Sequence, residues 1–255
     1  MQTQQTSGRT WRLAIALGLL LAAHGVQAAS SSYSGKAVRI GKGTAHTVVR
    51  TDDAGQVASI GIVMNKGALE GLPKPGAGPT AFWLDMPGKG PRTVFNHVVI
   101  NWEAAGHAPP KVYDVPHFDF HFYLGSKAMQ RRIRFGSEAE SGDPSQQPAA
   151  DLLPAGYIVP PGTAVPRMGV HAIHPGGPEF NGKPFTATFI YGYHRQQLFF
   201  LEPMVALSFL QSSPAFEADI PRPARYSKPG RYPGGYAVQH DAASGNVEIL
   251  LTQLQ

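Results

Sequence analysis

The chain of 255 residues contains no cysteine. That excludes disulfides, thiolate zinc sites, iron–sulfur clusters and C-x-x-C-H haem attachment, so any metal must be held by nitrogen and oxygen donors. Charge is sparse too: 15% of residues are Asp, Glu, Lys or Arg, and the net +5 is scattered rather than striped. Arg131, Arg132 and Arg134 cluster, but without interleaved aromatics, so no nucleic-acid partner is expected. The catalytic signatures G-x-S-x-G and H-E-x-x-H are missing, and Gly41-Lys42-Gly43-Thr44 lacks the spacing of a phosphate loop. Long apolar runs are absent except near the start. There Leu13 to Leu21 follows a polar stretch with Arg9 and Arg12 and precedes Val26-Gln27-Ala28. This reads as a secretory signal peptide over residues 1–28, because the run is shorter than the about 20 apolar residues a spanning helix needs and ends in small residues. The expectation is a single domain over residues 29–255, periplasmic or secreted, with no stable membrane span after cleavage.

What is abundant is punctuation. Gly at 29 and Pro at 23 interrupt the chain too often for long helices, and the segments between them are short, β-branched or aromatic. The fold class this implies is mainly β, an antiparallel β-barrel or sandwich with a few short helices. Hairpins are expected around Asp52-Asp53-Ala54-Gly55, around Pro87 to Pro91, at His194-Arg195-Gln196 and around Asp241 to Asn246. Short helices are expected near Asn65 to Leu72, at Lys127 to Phe135 and, with Pro203 in a first turn, at Met204 to Leu210. Gly136 to Ala150 reads as an exposed loop.

The segment with the most chemistry is Pro116 to Tyr123, PHFDFHFY. On a strand, His117, Asp119 and His121 fall on one face and Phe118, Phe120 and Phe122 on the other. Neighbours two apart lie about 6.6 Å from each other and can converge on one ion, whereas His117 and His121 stand about 13 Å apart on a straight strand. Either the strand is bent, or one histidine ligates while Asp119 orients the other. An amphipathic strand with a solvated polar face is the competing reading, and two histidines bracketing a carboxylate favour metal.

A second imidazole pair, His171 and His174, precedes Pro175-Gly176-Gly177-Pro178 and Glu179. His171 is the preferred further ligand. Glu202 and Glu179 are candidates for ligand or general base, and Glu202 is the stronger because Phe199-Phe200-Leu201 and Pro203-Met204 surround it with apolar residues where an unpaired charge is costly. His107 can line the same pocket; His97, His194 and His240 read as ordinary structural histidines, and Trp83 and Trp102 as core.

Gly106-His107-x-Pro109, Tyr113, PHFDFHFY, Met168-Gly169-x-His171, Pro178-Glu179, Phe189-Ile190-Tyr191-Gly192 and Phe200-Leu201-Glu202-Pro203-Met204 together resemble a family of exported bacterial proteins of unknown function. The resemblance runs from about Gly43 to the C-terminus. It implies that His117, Asp119, His121, His171 and Glu202 are brought into one site by folding. A distant analogy connects the architecture to cupins, although H-x-D-x-H stands here for their H-x-H pair. The expected cofactor is a divalent metal, zinc foremost, with copper, iron or manganese as alternatives. The function expected is metal-dependent hydrolysis or a lyase step on a small molecule of unknown identity; the alternative is a non-catalytic metal- or ligand-binding envelope protein. Self-association is left open by the sequence.

Overall fold

A computed structural model describes residue 1 and residues 30–78, 80–213 and 215–255. The expected signal peptide therefore lies outside the described residues, apart from Met1. The strands are Ser31–Ser34 (β1), Val38–Ile40 (β2), Gly43–Thr51 (β3), Val57–Met64 (β4), Ala81–Asp85 (β5), His97–Glu103 (β6) and His117–Tyr123 (β7), followed by Ala164–Val165 (β8), Gly169–Ala172 (β9), Ala187–His194 (β10), Gln197–Ala206 (β11), Phe216–Asp219 (β12), Gly235–Asp241 (β13) and Asn246–Thr252 (β14). The α-helices among the described residues are both short, Lys127–Arg132 (α1) and Leu207–Gln211 (α2). No helix among them is long and apolar enough to cross a membrane.

Two antiparallel sheets result, one of them curled into a half-barrel. The ends of the chain build the first sheet: hairpins β3–β4 and β13–β14 join through β14 and β4, with β1 and β2 beside β3 and β12 beside β13. The middle of the chain builds the second, in the order β5-β6-β7-β11-β10-β9-β8. The expected hairpins form. Asp52 explains the first: its carboxylate accepts from the amides of Ala54 and Gln56, and Gly55 takes the left-handed conformation (φ 74°) that the turn needs.

The core lies between the sheets. Ile62, Val238 and Ile249 from the first meet Phe118, Phe120, Phe122 and Leu201 from the second. Each such side chain removed from water contributes about 1.5–3 kcal/mol. The alternation along β7 thus turns its phenyl rings into the core and sends His117, Asp119 and His121 to the far face of the sheet. That far face is also covered, since every residue of β7 is buried.

One expectation is corrected. Met204 to Leu210 does not begin a helix at Pro203; β11 runs on to Ala206 and the helix starts only at Leu207. Proline has no N–H to give to a ladder, so the pairing with the neighbouring strand is interrupted where it stands. The pairing of β11 with β7 skips Glu202 and Pro203 and resumes in unchanged register at Met204 opposite Asp119 and Val205 opposite Phe118. The segment Asn65 to Leu72 contributes only a 3-10 turn at Lys66–Leu69. The stretch Gly136 to Ala150 is not wholly exposed: its 3-10 turn Glu138–Gly142 buries Ser141, whose hydroxyl donates to the Pro160 carbonyl over 3.2 Å.

Candidate metal centre

The register of the second sheet decides which polar side chains meet. β7 lies between β6 and β11, so Asp119 has Asn101 on one side and Met204 on the other, and His117 has Glu103 and Ala206. The register on either side of the gap, Leu201 opposite Phe122 and Met204 opposite Asp119, puts Glu202 across from His121. One row further along, Tyr123 pairs with Phe200, Phe200 with Gly192, and Gly192 with His171 on β9. Gly192 has a specific reason to be glycine: a Cβ there would lie 2.0 Å from atoms of the Phe200 ring. That ring in turn supports His121 edge-to-face at 5.0 Å and His171 at 5.1 Å between centroids.

Two sets of donors form on this face. In the inner set, His121 Nε2 stands 3.3 Å from Glu202 Oε1 and His171 Nε2 3.8 Å from Glu202 Oε2. In the outer set, His117 Nε2 stands 3.1 Å from Asp119 Oδ1 and His107 Nε2 3.6 Å from Asp119 Oδ2. Within each set the donor atoms all lie within 4.8 Å of one another, so each can hold a metal ion. Two donors bound at about 2.0–2.1 Å to a single tetrahedral ion stand about 3.4 Å apart, so these separations fit a shared ion, and the longer two exceed hydrogen-bond length.

The other ring nitrogens fix the tautomers. His117 Nδ1 lies 2.7 Å from the Val115 carbonyl, His107 Nδ1 2.7 Å from that of Ala108, and His171 Nδ1 3.0 Å from that of Thr163. A carbonyl only accepts, so Nδ1 donates in all three, and a neutral ring directs its Nε2 lone pair at the carboxylate. His107 is held there by Gly106, which turns the chain at φ 71° where a Cβ would meet the Tyr113 carbonyl, and by its own amide donating to that carbonyl. His117 Nε2, Asp119 Oδ1, both nitrogens of His121 and Glu202 Oε2 are buried without a hydrogen-bond partner. Such orphaned atoms are costly unless a cation satisfies them.

Electrostatics separates the sets. Burial pushes His121 down to about 3 and lowers His171, so both rings are neutral near pH 7. Burial, reinforced by Asp119 and Glu103, raises Glu202 well above the carboxylate range. The inner set on its own therefore carries little charge. Burial opposes charge on the outer pair as well, but the Asp119 carboxylate close by outweighs it at His107, raised to about 9, and the two imidazoles hold Asp119 low against burial.

The remaining candidates are spread around these sets. Glu179 is buried outside both and accepts from the Tyr113 hydroxyl over 3.3 Å. Tyr113 lies edge-on to His107, 5.8 Å between centroids. His174 packs against Tyr157 at 5.4 Å and joins neither set. His97 is fully buried, stacked between Trp83 and Tyr123, with Nε2 2.6 Å from Gln130 Oε1. Asn101 and Glu103 were not singled out from the sequence. Their signal was the pairing of β6 with β7, which aligns them with Asp119 and His117.

Fold and site define a mainly β protein with buried histidine–carboxylate groups able to hold a metal ion. The model of the TTHB210-like family, described as Hypothetical protein TTHB210, matches residues 52–102, which end before β7. No curated protein and no solved structure matches the chain.

Proposed function

We propose that this is an exported protein that holds a divalent metal at His121, His171 and Glu202 and uses it in a hydrolytic or lyase-type step on a small molecule. The observation that carries the reading is the convergence of orphaned, buried donor atoms at ion-sharing distances around Glu202. Two nitrogens and one carboxylate suit zinc first, and also copper, iron or manganese. Three protein ligands leave a coordination position open, and the metal would supply Lewis acidity and an activated water there. Glu202 both holds the cation and keeps a carboxylate at the reacting face. Tyr113, driven well above its usual range by burial and then by Glu179 and Glu202, stays protonated and donates. With Glu179 accepting from it, the pair holds a proton on the side of His107 and His117.

A second reading, a non-catalytic metal- or ligand-binding envelope protein, draws on depth. His117, Asp119, His121 and Glu202 are nearly inaccessible, and the cavities of about 470 and 350 Å³ are lined by other residues, among them Arg92, Thr93, Val94 and Lys228. Elemental analysis by mass spectrometry on the tag-free mature protein tests the shared premise. Bound divalent metal that falls in His121→Ala or Glu202→Gln supports it, and unchanged stoichiometry removes it. Turnover of phosphate, ester and amide substrates by the metal-loaded protein, lost in the same variants, separates the enzyme from the binding protein.

A further inference from the structure

We infer that the protein binds a second divalent cation, independently of the first, at His107, His117 and Asp119. This rests on the metal reading above, with which it shares its physical warrant, and extends it to a different place and a different behaviour. The outer set repeats the inner one atom for atom: a carboxylate offers one oxygen to each of two imidazole Nε2 atoms, at 3.1 and 3.6 Å here and at 3.3 and 3.8 Å in the inner set. The backbone carbonyls of Val115 and Ala108 hold the Nδ1–H of both outer rings, leaving Nε2 as the nitrogen each ring can give to a cation. His117 Nε2 and Asp119 Oδ1, in side chains 0% and 5% exposed, have no hydrogen-bond partner and face the same point.

No residue belongs to both sets, and Asp119 and His121 are two apart on an extended strand, which spaces them by about 6.6 Å. Bridged two-metal sites hold their ions about 3.5–4 Å apart on shared ligands. The arrangement here is instead a pair of separate three-ligand sites on one strand face.

The sites differ in access. The inner histidines are 1% and 14% exposed, whereas His107 is 39% exposed and sits on the loop between β6 and β7. The outer cation exchanges with solvent and the inner one is retained.

The test loads the mature protein with Zn²⁺, removes unbound metal by gel filtration, counts zinc and follows its release into excess chelator. Two equivalents leaving in a fast and a slow phase are expected. His107→Ala, at the exposed edge where folding is little threatened, should keep one equivalent and lose the fast phase, and Asp119→Asn should do the same. His121→Ala should keep one equivalent that leaves fast. One equivalent in the parent, retained by His107→Ala and lost in His121→Ala, overturns the second site while leaving the first standing. Loss of both equivalents in His107→Ala overturns independence, and no zinc in the parent removes both readings.

Discussion

Glu202 and His121 face each other across β11 and β7, with Oε1 and Nε2 3.3 Å apart, at the one place where the ladder between the two strands is interrupted. The interruption is the work of Pro203, which has no amide hydrogen to give. The contact joins a carboxyl pushed up and an imidazole pushed down by the same cause, burial, so neither is stable there in its charged form without a counter-charge. A dication reverses this, because it satisfies the Nε2 lone pair and the carboxylate together.

Replacing Glu202 by glutamine keeps the shape and removes the anionic ligand. Because burial already favours the neutral carboxyl in the metal-free protein, Glu202→Gln should change metal-free stability by less than about 1 kcal/mol, within the ordinary range for mild substitutions. Zinc at one hundred times the inner-site dissociation constant should stabilise the parent there by about 2.7 kcal/mol, and this increment should vanish in the variant. Thermal melts of both proteins with and without zinc measure it; an equal zinc-induced rise in a variant that also lacks the outer site refutes the assignment.

The two faces of β7 should respond in opposite ways. Phe120 is fully buried in the core and stacks on Phe118 at 5.8 Å, so Phe120→Ala should destabilise by about 3–5 kcal/mol. Its neighbour Asp119, changed to asparagine, should chiefly lower metal content. Urea denaturation and zinc counts on the two variants compare these directly, and metal loss without destabilisation in Phe120→Ala would contradict the orientation of the strand.

This division of β7 was legible in the sequence because a strand has a period of two, and PHFDFHFY alternates without exception. The turn at Asp52 to Gly55 was equally legible, since Asp and Gly make it by local hydrogen bonds. Pairing across strands was not. Spacing along one strand cannot tell that Glu202 arrives opposite His121, or that Asn101 and Glu103 arrive beside Asp119 and His117; only the register does. For the same reason five residues expected in one site lie in two sets, with His107 swung into the outer one by its loop. Pro203 misled because a proline followed by Met and Leu reads as a helix start, and its actual role depends on a neighbouring strand.

Gly192 should tolerate no side chain. An alanine Cβ would strike the Phe200 ring, the platform for His121 and His171, so Gly192→Ala should cost about 1–3 kcal/mol by overpacking and weaken zinc binding at the inner set. Gly88→Ala is the control: nothing lies within 4 Å of a Cβ there, and its stability should stay within about 0.5 kcal/mol of the parent. Calorimetric zinc titration of both variants shows whether the platform matters to the metal.

His97 provides a pH test away from both sets. Burial lowers its pKa from 6.5 to about 4, against the raising effect of the Gln130 hydrogen bond. The unfolded chain therefore binds a proton more readily than the folded one between those values. Stability contributed by the neutral ring is fully present above pH 6.5 and is lost as the pH falls toward 4, with a slope approaching about 1.4 kcal/mol per pH unit. Replacing the ring with phenylalanine keeps the stack between Trp83 and Tyr123 and removes the titration. His97→Phe should therefore flatten this part of the profile, although it removes the contact with Gln130 and lowers stability at pH 7. Denaturation midpoints from pH 7 to pH 4, measured on chelator-treated protein so that metal release does not contribute, decide it: parallel profiles for parent and variant would mean that the ring does not carry the low-pH loss.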